Sequence, residues 1–433
     1  MEVAKRKNEC QRKHSRSSGL VYKAFLFAFS ILSIHAIKAQ DSHLLKEPII
    51  TDLILPNTLS THPFGIYISR ISHNFQTRPN PKASIGFNYS NGNVWLPQNK
   101  AYKPTSADQQ ELIKTTSWDD RQRLYDLSLP AKTSTFYSDG VYRVFRMQFA
   151  VPLGKQQELT LNARAYLFDK GNTPYSLFTS DDFIEWFHSN VAGGEDAFKR
   201  KFYGINEAYT QYTSFDGKSF ELNQGSSMFT GIEADYTYYP GLDFLEERLF
   251  FTNLGVHLGL NTNPINPGAD AGFSGSILKK IPFRKRFEWN MGFSLAALNQ
   301  SFVRAGEGYS ISSSPWLYSF DLMTGVGFIS KKNAEIFIGI DWWGQSAYNR
   351  KEDFDDIVLT VPGPEDSPNW SRESPHWFQT MKHLYRTVTA SNFMFTYSKS
   401  NYSISCYLRE DFLVDNAPDA QTGIELRVFL DRE

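Results

Sequence analysis

Apolar residues spaced two apart, in about twelve runs of roughly nine to thirteen residues, constrain this chain more than any other feature. Period two puts successive side chains on opposite faces of an extended strand. Leu159, Leu161, Ala163, Ala165 and Leu167 share one face and Thr160, Asn162, Arg164 and Tyr166 the other. Leu254, Val256, Leu258 and Leu260 alternate with Asn253, Gly255, His257 and Gly259. The same reading holds for Phe287 to Leu295, Tyr318 to Phe328, Glu335 to Trp342 and Gly423 to Leu430. Weaker members run Ala83 to Trp95, Val141 to Val151, Thr230 to Tyr239, Phe273 to Lys279, Thr389 to Tyr397 and Tyr402 to Phe412. Strands of this length suit a tilted crossing of a bilayer and exceed the five or six residues usual in soluble sheets. A soluble β-sandwich or β-helix accounts neither for that length nor for the aromatic residues at run ends, Trp95, Tyr236, Tyr238, Trp289, Tyr318, Trp342 and Trp343.

Connection lengths point the same way, because membrane barrels alternate short turns with longer loops. Long or medium connections at 97–140, 168–229, 262–271, 299–316, 344–387 and 413–420 alternate with short ones at 152–156, 240–248, 280–286, 330–334 and 398–401. The expected fold is an all-β transmembrane antiparallel barrel of about twelve strands, residues 83–430, with both ends on the short-turn, periplasmic side. His62 to Ser72 has a strand-like pattern that would break the even count. Residues 40–82 are therefore expected at the periplasmic mouth or inside the lumen as a plug, with fourteen strands the competing count. Residues 431–433 form a short tail.

The first 39 residues differ from the rest. Lys5, Arg6, Lys7, Arg12, Lys13, Arg16 and Lys23 precede an apolar run from Ala24 to Ile37, and Ala39-Gln40 offers a small-residue boundary. This reads as a signal peptide cleaved after Ala39, and the stretch from Leu20 is by itself a leader of ordinary length. Taking its eight Lys/Arg and two Asp/Glu from the 45 and 46 of the whole chain leaves 37 and 44, a formal charge of −7. An acidic exported chain does not have the basic signature of a nucleic-acid binder. Cys10 leaves with the leader, so Cys406 remains as a lone thiol and no disulfide framework is available.

Tyr137-Ser138-Asp139-Gly140 through Leu153-Gly154, a second strand to Leu167, and then Ser180-Asp181-Asp182-Phe183-Ile184-Glu185-Trp186-Phe187-His188 form a recognisable order of motifs. Over residues 83–200 this resembles a Gram-negative outer-membrane family known only as a domain of unknown function, family 3187. The family's Asp-x-Phe-Ile-x-x-Phe-His signature falls on Asp181, Phe183, Ile184, Phe187 and His188. The resemblance implies a barrel and an outer-membrane address, and no activity. Physically, Asp181 to Asn190 reads as a short helix in an external loop, capped by Ser180 or Asp181 and able to fold inward. His188 is then a ligand or proton-sensitive group, or a hydrogen-bonded packing residue that fixes the loop.

Chemistry is sparse in the linear sequence. None of the nine histidines has a serine two residues after it on a strand, the spacing that would let imidazole activate a hydroxyl on one face, and His257 is followed by Gly259. Enzyme activity is therefore not expected unless the fold brings a serine across from another strand. His376, His383 and Glu373, and the acidic run Glu352, Asp353, Asp355 and Asp356, read as solvated loop residues. No metal and no cofactor are expected. The remaining candidates are inward-facing charges: Arg146, Arg164, Glu233, Asp235, Glu288, Asp321, Glu335, Asp341, Arg409, Glu425 and Arg427. They either set a field that selects small solutes or pair across a narrow barrel and close it. The functional expectation is passive passage of small polar or amphipathic molecules, with a non-conducting structural or external-binding barrel as the alternative. A barrel enzyme acting on lipid stands behind both. Partners would be outer-membrane lipid and the barrel-assembly machinery.

Overall fold

The structure, a computed structural model, describes residues 53, 55–58, 64–117, 120–171, 176, 178–191, 204–306, 308–309, 311–360, 387–410 and 420–430. The leader and the 431–433 tail lie outside the described residues.

The strands, in chain order, are β1 (Ala83–Pro104), β2 (Ala131–Pro152), β3 (Gln157–Asp169), β4 (Tyr209–Thr213), β5 (Ser219–Asn223), β6 (Ser227–Tyr238), β7 (Phe250–Asn261), β8 (Gly268–Arg284), β9 (Phe287–Arg304), β10 (Trp316–Ile329), β11 (Glu335–Gln345), β12 (Val358–Thr360), β13 (Val388–Lys399), β14 (Tyr402–Glu410) and β15 (Ala420–Leu430). Twelve of them close into an antiparallel barrel, because β1 pairs with β15 on one side, Ala83 opposite Leu430, and with β2 on the other, Ser84 opposite Ala150. The other three are outworks on the long-loop side. β4 adds to the far end of β2 and carries β5, and β12 adds to the far end of β1.

The alternation decides which way each side chain points. Leu254, Val256, Leu258 and Leu260 are exposed on the outer wall, as are Phe293, Leu295, Phe393, Phe395, Ile424 and Leu426. A continuous exposed belt of this kind would be an aggregation surface in water. Facing hydrocarbon it is the surface expected of a transmembrane barrel, whose closure leaves no unpaired strand edge. Among the described residues no helix is long and apolar enough to cross a membrane.

Short turns close as their residues dictate. Asn333 takes φ 56°, a conformation that asparagine tolerates, and the Ser330 N–H donates to Ala334 O at 2.8 Å to shut the β10–β11 hairpin.

Three expectations need correction. Strands of nine to thirteen residues were expected, but β1 and β2 run for 22. The apolar alternation stops where the outer face leaves the lipid, while the backbone ladder continues above it, so the 97–140 connection shrinks to 105–130. There it carries α1 (Ala107–Thr115) and α2 (Arg121–Leu124). Trp95 and Trp343 do not stand in an interfacial belt, being 5% and 1% exposed on the inner wall. Trp342 and Trp343 are neighbours in one strand, so only one of them can face outward. The lumen, expected to carry the polar faces and charges, is also not polar throughout. Phe64, Phe136, Tyr142, Tyr166, Phe168, Tyr212 and Phe220 build an aromatic cluster in its long-loop half, with Phe64 4.8 Å from Phe136 and 5.0 Å from Tyr212 between ring centroids.

Candidate functional site in the lumen

Residues 64–82 precede the first wall strand and lie against the inner wall. The described part of the strand-like stretch, Phe64 to Ser72, joins no ladder. It begins with a single 3₁₀ turn, Gly65–Tyr67, and continues as extended chain. Buried backbone outside a sheet still needs hydrogen-bond partners, and here side chains of the wall supply them. Arg164 donates to Ile66 O and Ile68 O at 3.2 and 3.3 Å. Glu233 accepts from the Arg70 N–H at 3.0 Å, and Asp270 accepts from the Ser69 N–H at 3.1 Å. Asn253 donates to Asn74 O, and Glu425 accepts from both the Asn57 N–H and its side-chain amide. Apolar contacts add to this seating. Phe75, 1% exposed, packs among Leu278, Met323, Phe337 and Met394.

Wall glycines make the room. A Cβ at Gly292 would lie 2.5 Å from the Phe75 ring, and one at Gly272 would lie 2.8 Å from Ile71.

Most of the inward-facing charges meet a partner on the same or a neighbouring strand, directly or through one amide. Arg164 and Glu233 lie 3.3 Å apart on β3 and β6, and Lys280 and Glu288 lie 3.2 Å apart, both fully buried, on β8 and β9. Arg427 donates to Glu425 at 2.9 Å. Asp341 accepts from the Asn392 amide, whose oxygen in turn accepts from Arg409 Nε at 2.7 Å. The guanidinium groups of Arg70 and Arg409 lie 4.7 and 5.1 Å from the centre of the Trp343 ring, so that indole receives two cations. Arg146 and Asp321 are buried on the same inner wall, and Glu335 is half-buried at the start of β11.

His73 sits between two hydroxyls, Ser294 at 2.7 Å from Nδ1 and Ser319 at 3.2 Å from Nε2. Burial, with Arg70 and then His257 adding repulsion, pushes its pKa down to about 3, so the imidazole is neutral at ordinary pH.

The helix α3 (Asp181–Asn190), in the long connection after β3, forms where the capping residue and apolar spacing place it. Ser180 supplies the cap, accepting from the Phe183 N–H at 3.2 Å. Asp181, fully buried, accepts from the Asn93 amide at 2.7 Å and from the Asn206 N–H at 2.9 Å, which seats the helix start against the inner face of β1. Ile184 is buried, while Trp186 and Phe187 are exposed beside Phe183. The His188 side chain lies outside the described part, as do His376, His383 and Glu373. In the acidic run, Asp353 pairs with Arg350 and Asp356 with Lys103.

One constellation was invisible along the sequence. His257 Nδ1 lies 2.6 Å from Asp235 Oδ1, and its Nε2 lies 2.8 Å from Ser274 Oγ. The serine comes from β8, the strand after the histidine, so no spacing rule within one strand could find it. The available signal was that all three residues fall on polar faces of consecutive strands. The three residues border a cavity of about 110 Å³ between the wall and residues 53, 55–58, 70 and 72–76.

The fold and its interior define a transmembrane barrel whose bore is occupied by the segment that precedes its first strand. No protein-family model and no curated protein matches the sequence. Among solved structures the chain is similar to an outer-membrane channel from Pseudomonas putida F1, at 7% identity over 83% of this chain and 100% of that one with a TM-score of 0.37. It is also similar to LpxR from Salmonella typhimurium, at 7% identity over 80% and 100% with a TM-score of 0.36. A third is the toluene transporter TodX of P. putida, at 6% identity over 82% and 91% with a TM-score of 0.28. At these values the likeness is confined to barrel architecture.

Proposed function

We propose that this is an exported outer-membrane barrel that passes small polar or amphipathic molecules when residues 64–82 shift from the lumen. The observation that carries the reading is how that segment is held. Its backbone is hydrogen-bonded to wall side chains, chiefly Arg164, Glu233 and Asn253. Water can replace each of these partners, whereas a lumen built only to be closed could be filled with apolar side chains. The paired wall charges then have two roles, seating the segment and offering a polar path once it moves. Outer-membrane lipid and the barrel-assembly machinery are the partners such a protein requires.

Proteoliposome swelling tests the reading. Protein beginning at Gln40 should admit small sugars or amino acids at a rate above empty liposomes and exclude larger oligosaccharides. Impermeability to every small solute would favour the second reading, a barrel that binds through its exterior. That reading draws on the superstructure of β4, β5 and β12 above the membrane belt.

A further inference from the structure

We propose that Ser274, His257 and Asp235 form a nucleophilic serine site that hydrolyses a small, acetyl-sized ester of a polar alcohol inside the barrel. The bond order is that of an activated hydroxyl: carboxylate to Nδ1 at 2.6 Å, Nε2 to Oγ at 2.8 Å. Asp235 is oriented in turn. Its second oxygen accepts from Asn162 Nδ2 at 3.1 Å, and Asn162 Oδ1 accepts from Gln148 Nε2 at 3.2 Å. The chain of contacts crosses five consecutive wall strands, β2, β3, β6, β7 and β8, and ends at a hydroxyl on the cavity.

An independent feature makes room for the pair. Gly255 stands opposite Ser274 in the β7–β8 register, two residues before His257 on the same inner face. A Cβ there would lie 2.5 Å from Ser274 Oγ and 2.8 Å from His257 Nε2, so any side chain at 255 would occupy the space of that hydrogen bond.

The cavity limits the substrate. At about 110 Å³ it is smaller than the roughly 150 Å³ that takes a benzene, so the acyl group is of acetyl size. Thr160, Thr237 and Gln148 line it beside the triad, and His73 and Asn74 face it from the plug. That is a surface for a hydroxylated alcohol, not for a lipid tail. In the reaction, Ser274 Oγ attacks the ester carbonyl carbon while its proton passes to His257 Nε2. The C–O bond to the alcohol breaks, and the alcohol leaves with that proton. His257 then takes a proton from water, whose oxygen attacks the acyl-Ser274. The Ser274 oxygen recovers the proton as the carboxylic acid departs. Asp235 holds Nδ1–H throughout and stabilises the transient imidazolium.

The test uses the folded protein from Gln40 in detergent, treated with methanesulfonyl fluoride and assayed with 2-hydroxyethyl acetate, the acetyl ester of a small hydroxylated alcohol. Mass spectrometry should place one mesyl group on Ser274 and none on Ser276, and acetate should be released with continuing turnover. Ser274→Ala should abolish both. His257→Gln should lower both by roughly 10²–10⁴-fold, the usual contribution of a general base. Gly255→Ala should lower both by forcing Ser274 and His257 apart, with none of the three residues itself substituted. Each variant is checked for heat-modifiable gel mobility. An unmodified Ser274 in folded wild type, modification without turnover, or equal rates in folded His257→Gln would overturn the proposal and leave the three residues as a hydrogen-bond network of the wall.

Discussion

Ser69 occupies the space that a side chain at Gly259 would need: a Cβ on that glycine would overlap the serine hydroxyl. The plug and the wall are therefore fitted to each other at a single missing methyl group. Gly259→Val should unseat the segment without removing any charge or hydrogen-bond donor. The expected result is faster proteolysis within residues 40–82 on an intact barrel. Unchanged protection would mean that the wall yields at that point.

Arg164 binds two plug carbonyls and is itself held by Glu233 and Asn261 of the wall. Removing one member of a buried ion pair typically costs about 3–5 kcal/mol, because its partner is left charged and unmatched. Arg164→Met should lower the temperature at which the folded gel band is lost, and Arg164→Met with Glu233→Gln should recover part of the loss.

His73 gives the plug a pH dependence whose sign follows from its neutral, buried state. Its pKa is about 3 when seated against about 6.5 when displaced, so the displaced segment takes up a proton that the seated one refuses. The contribution of His73 to seating is fully present above pH 6.5 and weakens by up to about 1.4 kcal/mol per pH unit between 6.5 and 3. Proteolysis of the segment by an acid-active protease should rise over that window in wild type and stay flatter in His73→Gln.

Cys406 is exposed on the outer wall, between inward-facing Ser405 and Tyr407 of β14. A fluorophore attached there before reconstitution should be quenched by lipids brominated on their acyl chains and not by iodide in the buffer. The opposite pattern would remove the membrane belt.

The barrel wall was legible because one physical signal, alternation between lipid and interior, repeats along every strand and also sets the direction of Arg164, Glu233 and Asp341. What lay beyond that signal was not legible. The extensions of β1 and β2 past the membrane keep their ladder but lose the alternation, so their residues read as loop. The pairing Lys280–Glu288 and the contact from His257 to Ser274 depend on register between strands, which a single sequence does not print. The aromatic cluster around Phe64 was hidden for a related reason. Tyr142, Tyr166 and Phe168 face a plug that becomes a core only after residues 64–82 enter the bore.

The claim that residues 64–82 close the bore and must move for passage is tested most directly by conductance across a planar bilayer with the segment locked in place. Ser69 Oγ lies 3.2 Å from Asn261 Oδ1, so Ser69→Cys with Asn261→Cys, in a Cys406→Ser background, offers a disulfide between plug and wall. Discrete openings in the reduced protein, silenced by oxidation and restored by reductant, are the predicted result. Equal conductance in the oxidised and reduced states would contradict it.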